Sequence, residues 1–172
     1  LITLTSLLQK VFDEHYPANW SIAKCFMIFK KGHRMLPGNY HGISIIPLLA
    51  KLYDTVLARR FCKWYRPRIE QAGATPGRGC KEQILTVKLL VDIARKTKRT
   101  LYITFVDYEK AFDKVNRAKL INRLIQFGCG AKFVRALWDS MRSDSGKIGK
   151  DTFNATDGVR QGGCLSCPMF TF

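Results

Sequence analysis

The residue best placed to do chemistry in this 172-residue sequence is Asp107, which follows the apolar run 101–106 (LYITFV). A carboxylate at the end of a buried strand is held on rigid backbone and offers the hard oxygen that divalent cations prefer. The same residue type also caps helices and closes turns, so Asp107 on its own leaves both readings open. Three basic clusters stand apart from it: Lys30, Lys31 and Arg34 around Gly32; Arg78 between Gly77 and Gly79; and Arg160 beside Gln161, Gly162 and Gly163. Glycine on both sides of a basic or amide side chain lets main chain approach a ligand closely, and such groups hydrogen-bond phosphates and base edges. Cys164 and Cys167 have metal-ligand spacing, but with no second such pair and no His pair nearby they read as two small residues in a turn, not a zinc site.

These groups need elements to hold them. Leu4, Leu7, Leu8 and Val11 recur at helical spacing over residues 2–14, ahead of Pro17. Residues 22–29 (IAKCFMIF) read as a strand, Lys30 to Gly32 as its turn, Gly38 to Tyr40 as loop, and Ile43, Ile45 and Ile46 as the returning strand of a basic hairpin. Leu49, Leu52, Val56, Leu57, Phe61 and Trp64 mark a long amphipathic helix stopped by Pro67. A loop over 73–79 leads to a second helix over 81–96, carrying Ile84, Val87, Val91 and Ala94 at helical period, with Lys88, Arg95 and Lys96 outside.

The run 101–106 is expected to be a central strand buried on both faces. Helices over 117–127 and 131–142 follow, split by Gly128 and Gly130, with Leu120, Leu124, Phe133, Leu137 and Trp138 turned to the core. Residues 146–156 alternate weakly, as a short hairpin does, and the closing stretch passes from glycine-rich loop into an apolar helix. Strands and helices without repeating β-α-β units predict an α+β layer.

Composition limits the partners. Lys plus Arg number 29 against 13 Asp plus Glu, a formal charge of +16, which opposes compaction unless a polyanion offsets it. Nucleic acid is the first candidate. No apolar run reaches the roughly 20 residues of a spanning helix, and the start lacks a signal-peptide pattern, so a soluble, intracellular protein is expected, nuclear or cytoplasmic. Six scattered cysteines in a chain of 172 residues are expected to stay reduced. The sequence opens at Leu1 and stops inside the apolar MFTF, as a piece of a longer chain would.

Four segments in order give these residues a common context. TFVDYEKAFDKVNR (104–117) resembles the first palm motif of reverse transcriptases from non-LTR, LINE-type retrotransposons. NWSIAKCFMIFKKG with NYHGIS (19–32 and 39–44), EQAGATPGRGCKEQI (70–84) and GVRQGGCLSCPMF (158–170) resemble further segments of that family. The resemblance implies a right-hand polymerase of α+β class, with fingers over 1–99 and a partial palm over 100–172. It implies RNA-directed DNA polymerisation with an RNA template, a DNA primer, dNTP and two magnesium ions.

Residue by residue, the resemblance makes Asp107 the catalytic carboxylate shared by both magnesium ions, with the main-chain carbonyl of Tyr108 a further ligand. Phe112 becomes the ring under the incoming sugar that blocks a 2′-hydroxyl. Asp113 is implied to position the following helix and not to bind metal. Lys30, Lys31, Arg34 and His41 are implied at the triphosphate, Arg160, Gln161 and Gly162 at nucleotide and template, and Arg78 and Gly79 at template and primer. Two departures matter. His41 stands where the family has Arg, and a largely neutral imidazole lacks the guanidinium fork. Cys167 interrupts the Leu-Ser-Pro that follows the Arg-Gln-Gly motif, leaving the start of the next helix open.

The family's aromatic-x-Asp-Asp turn does not occur in the sequence, so the 172 residues alone are expected to be inactive. The alternative is a decayed or domesticated remnant that binds nucleic acid without catalysis.

Overall fold

A computed structural model describes residues 2–142 and 144–172. The chain runs α1 (Ile2–Asp13), β1 (Ile22–Phe29), β2 (Tyr40–Ile45), α2 (Leu48–Trp64), α3 (Cys80–Lys96), α4 (Arg117–Gln126), α5 (Ala131–Arg142), β3 (Ser145–Ile148), β4 (Asp151–Asn154) and α6 (Ser166–Phe170). Short 3-10 turns at Ala18–Trp20 and Pro37–Asn39 precede β1 and β2.

The helical core follows from spacing. In α2 the buried apolar positions are Ala50, Tyr53, Leu57, Ala58 and Phe61, a single stripe along one face of the helix. Leu120 and Leu124 of α4, and Val134, Leu137 and Met141 of α5, close on it, joined by Val11 of α1 and Met169 of α6. Trp20 enters the same core and meets Tyr16 edge to face at 5.8 Å. Local chemistry sets the ends. Asn116 caps α4 by accepting from the Lys119 amide at 2.8 Å. Arg135 of α5 donates to the Phe12 and Asp13 carbonyls at 2.9 and 2.7 Å, satisfying groups that the last turn of α1 leaves without helical partners.

All four strands form one sheet in the order β2-β1-β3-β4. β1 pairs antiparallel with β2, Cys25 opposite Ser44 and Met27 opposite Gly42. It pairs parallel with β3, Ala23 opposite Gly146. The second hairpin therefore crosses over to extend the first, a pairing that alternation within either hairpin does not encode. Gly146 is needed in β3 because a Cβ there would run into the Phe153 ring and sit 2.9 Å from the Cys25 Sγ.

One expectation is overturned. Residues 101–106 form no strand, and they are exposed, Tyr102 at 89% and Phe105 at 84%. The sequence has the composition of a buried strand, but a strand also needs neighbours for its N–H and C=O groups, and 101–106 pairs with none of the four described strands. The same holds one layer away. α3 forms as the periodicity predicts, with the Gly79 amide donating to Glu82 at 2.9 Å, yet Ile84, Leu85, Leu89, Leu90 and Ile93 are exposed. Trp138 is also turned outward, at 38% exposure, in place of the expected core position; Val134 and Met141 are buried on α5 instead.

Candidate functional site

Three chain segments meet at Phe112–Val115, a few residues after Asp107. After the irregular 101–106, residues 108–116 turn into α4, with the Asp113 and Lys114 amides donating to the Lys110 carbonyl at 3.0 and 3.1 Å. Asp107 and Tyr108 are exposed on this turn. Phe112 is half-buried and stacks on Phe170 at 4.8 Å between centroids.

The loop ahead of α6 is hydrogen-bonded to the turn: the Gly158 amide donates to the Val115 carbonyl at 2.8 Å and the Val159 amide to Phe112 at 2.9 Å. Gly158 has φ +81°, and a Cβ there would lie 2.8–2.9 Å from backbone atoms of Phe112 and Asp113, so only glycine permits the approach.

The third segment is β2. The Ser44 amide donates to the Gln161 carbonyl at 3.0 Å. The Gln161 side-chain amide donates to Asp113 Oδ1 at 3.2 Å. Asp113 thus accepts a hydrogen bond from Gln161 across the turn. Gly162, at φ +107°, passes over β2 so closely that a Cβ would be 2.9 Å from the Ser44 carbonyl oxygen. Between this loop and the sheet is a cavity of about 290 Å³, with Met27, Gly42, Ser44, Asp113, Phe153 and Gln161 in its wall.

Under the loop is a buried charge cluster that the sequence reading missed. Arg117, 4% exposed, donates to the Gly158 and Ala155 carbonyls at 2.8 and 2.7 Å, to those of Met141 and Asp157, and to Asp144 Oδ2 at 3.1 Å. Asp144 Oδ1 accepts from Arg160, whose guanidinium also donates to the Ser21 carbonyl at 2.8 Å. Arg160 therefore points inward and not toward solvent where a phosphate would approach. One signal was available: Arg117 opens α4, and a cation in a first helical turn opposes the helix dipole unless another interaction holds it there.

Asp54 of α2 lies in the same region, lining a cavity of about 30 Å³ with Asp144 and Arg160. Burial pushes its carboxyl up to about 6, with the Arg160 charge pulling it down and Asp144 adding to the rise. An unfolded Asp titrates near 3.9. Between about pH 4 and 6 the folded chain therefore binds the extra proton, and the Asp54 contribution to stability falls as pH rises through that window. Asp54→Asn is expected to remove this decline and to stabilise the chain by about 1–3 kcal/mol at pH 7. Urea melts at a series of pH values check it; an unchanged slope between pH 4 and 6 would exclude Asp54 as the titrating group.

The other sequence-derived residues are placed as follows. Lys30, Lys31 and Arg34 are exposed at the turn end of the β1–β2 hairpin. Arg34 lies over the Phe29 ring at 5.3 Å, and Tyr40 Oη donates to its carbonyl at 2.8 Å. His41 is exposed opposite Ile28. The loop meets β2 at Ser44 and not at these cations. Arg78 turns back to donate to the Ile69 carbonyl of its own loop, and Gly79 is the cap residue just before α3. Cys164 accepts from Thr55 Oγ1 at 3.4 Å, and Cys167 lies in α6, which starts at Ser166. Among the described residues no three His, Cys, Asp or Glu side chains come together as metal ligands. Asp107 and the Tyr108 carbonyl furnish oxygens suited to magnesium but do not make a complete centre by themselves.

The family described as reverse transcriptase (RNA-dependent DNA polymerase) matches residues 28–172. The Pol polyprotein of the type-1 retrotransposable element R2 of Bradysia coprophila is 26% identical over 139 residues, covering 78% of this chain. That of element R2DM of Drosophila melanogaster is 25% identical over 159 residues, covering 90%. The 149 kDa protein of transposon TX1 of Xenopus laevis is 28% identical over 152 residues, covering 83%. This chain spans 16%, 15% and 11% of the lengths of those three proteins. No helix among the described residues is long and apolar enough to cross a membrane.

Proposed function

Since the chain belongs to the reverse transcriptase family, we propose that it forms the fingers and the front of the palm of an RNA-directed DNA polymerase of a non-LTR retrotransposon, copying an RNA template onto a DNA primer. The observation that supports this most is the convergence of β2, the Asp113 turn that follows Asp107 and the Gln161 loop around one cavity. In this reading residues 1–99 are fingers and 100–172 palm, with β3 and β4 crossing over to widen the fingers sheet.

The chemistry assigned to each residue follows from charge and shape. Asp107 and the Tyr108 carbonyl would contribute oxygens to the magnesium ions, whose remaining carboxylate ligands would come from outside these 172 residues. Bound there, magnesium would supply the positive charge that sharpens the primer 3′-hydroxyl and balances the triphosphate. Lys30, Lys31 and Arg34, at the tip of a two-stranded hairpin, supply countercharge to the triphosphate as point cations and a fork. His41 adds a hydrogen-bonding group without a fixed charge near neutral pH. Gln161 presents an amide to the nucleotide, Gly162 lets main chain approach it, and Arg78 and Gly79 border the template and primer.

Phe112 lies beneath the sugar, braced by Phe170. Phe112→Ala in the intact polypeptide is expected to raise ribonucleotide incorporation about tenfold or more relative to dNTP, as removal of a steric block exceeding one methylene implies. Unchanged sugar discrimination in single-nucleotide extension would reassign Phe112 to packing alone.

RNA-templated primer extension by the intact polypeptide tests the function. Salt-sensitive binding of RNA–DNA hybrid with no extension would favour a non-catalytic nucleic-acid binder, which the +16 charge alone would support.

A further inference from the structure

We infer that Arg160 and Asp144 are positioning residues: Asp144 draws the Arg160 guanidinium inward and thereby fixes the neighbouring Gln161 at the nucleotide. The inference rests on the polymerase reading for its substrate, and on geometry for the rest. Arg160 is anchored at both ends. Its guanidinium donates to Asp144 and to the Ser21 carbonyl, just before β1. Its own carbonyl accepts from the Gly163 amide at 3.1 Å and from Ser166 Oγ at 2.6 Å, at the start of α6. Its side chain is only 12% exposed, and Asp144 is 4% exposed. A phosphate could reach this guanidinium only by displacing two buried partners.

The ion pairs support the same assignment. Asp144 holds two guanidiniums, Arg117 on one carboxylate oxygen and Arg160 on the other. A buried carboxylate shared in this way has a defined geometry, because any displacement leaves a charge unpaired in low dielectric. What the geometry delivers is the next residue. With Arg160 clamped to the foot of β1, Gln161 has its carbonyl on Ser44 of β2 and its amide on Asp113. The loop is thus registered against the fingers sheet and the Asp107–Asp113 turn together.

The test separates positioning from phosphate contact and from simple stability. In the intact polypeptide, Arg160→Met and Asp144→Asn are each expected to raise the KM for dNTP about tenfold, the range that displacement of a substrate-positioning group produces, with the double variant no worse than either single one. Arg160→Met retains the Arg117–Asp144 pair, and so remains informative if Asp144→Asn does not fold. The dependence of RNA–DNA hybrid binding on salt is expected to keep its slope in Arg160→Met. A slope reduced by about 0.9 would make Arg160 a phosphate contact and overturn the inference. Lower melting temperature with unchanged KM would overturn it too, as a purely structural pair. If the polypeptide extends no primer, the polymerase reading fails separately. The inference is then decided in the intact polypeptide by amide hydrogen exchange at Gln161 to Gly163, which should quicken in Arg160→Met and overturns the clamp if it does not.

Discussion

Replacing Asp107 with Ala in the intact polypeptide is expected to lower RNA-templated primer extension by about a thousandfold or more, the effect of removing several kcal/mol of transition-state charge stabilisation. The expectation is sharp because Asp107 contributes little else. It is exposed, on irregular backbone, outside the buried core, where a substitution seldom disturbs the fold. Asp107→Ala should therefore melt with the wild-type protein and bind RNA–DNA hybrid with wild-type affinity, because hybrid affinity comes from cations elsewhere. Asp113→Ala is the internal comparison. It removes a carboxylate six positions away in the same turn, but one that accepts from Gln161, so its loss should appear in KM for dNTP more than in kcat. Equal extension by wild type and Asp107→Ala would end the assignment of Asp107 to catalysis.

The helices α1, α2, α4 and α5 and strand β1 lie within a residue or two of where periodicity predicts them, because that signal is local: each residue reports its face through neighbours three or four positions away. Burial is not local. The run 101–106 and helix α3 have the apolar content of interior elements, and that content was legible; what covers them was not, and among the described residues nothing pairs with 101–106. Leu101 and Ile103 look like core residues in sequence and are exposed in the fold. The crossover of β3 onto β1 was equally hidden, since register between strands more than a hundred residues apart leaves no mark in either.

The buried cluster is the opposite kind of miss. Charged residues are read as surface by default, with good reason, and Arg160 was assigned to nucleotide from its place in a motif. Its real partners are Asp144, 16 positions back, and Ser21, 139 positions back. The motif located the loop correctly and left the direction of its arginine unspecified. The candidate site was accordingly legible as a set of segments and not as a set of contacts: Gln161, Asp113 and Ser44 come together through hydrogen bonds that no spacing rule supplies.

The largest stability effect is expected at Arg117. Arg117→Met keeps much of the volume of the side chain but strands the carbonyls of Met141, Ala155, Asp157 and Gly158 and leaves Asp144 with Arg160 as its remaining ionic partner. Breaking a buried ion pair by removing one member costs about 3–5 kcal/mol, a large share of the about 5–15 kcal/mol that stabilises a typical domain. Urea melts should show the midpoint falling steeply.

Arg117→Lys distinguishes charge from shape. Lysine retains the positive charge facing Asp144 but offers three donors on a tetrahedral ammonium, whereas five acceptors surround the planar guanidinium. If the fork is what ties α4 to the loop before Arg160, Lys should recover less than half of the loss. Recovery close to wild type would mean that neutralising Asp144 is the whole of the role. Arg123, further along α4, provides the control: it is exposed and lies over the Phe127 and Phe172 rings at 5.1 and 5.5 Å, so Arg123→Met should cost about 1 kcal/mol or less. Two arginines on one helix, identical in composition and opposite in burial, should then differ severalfold in what their removal does.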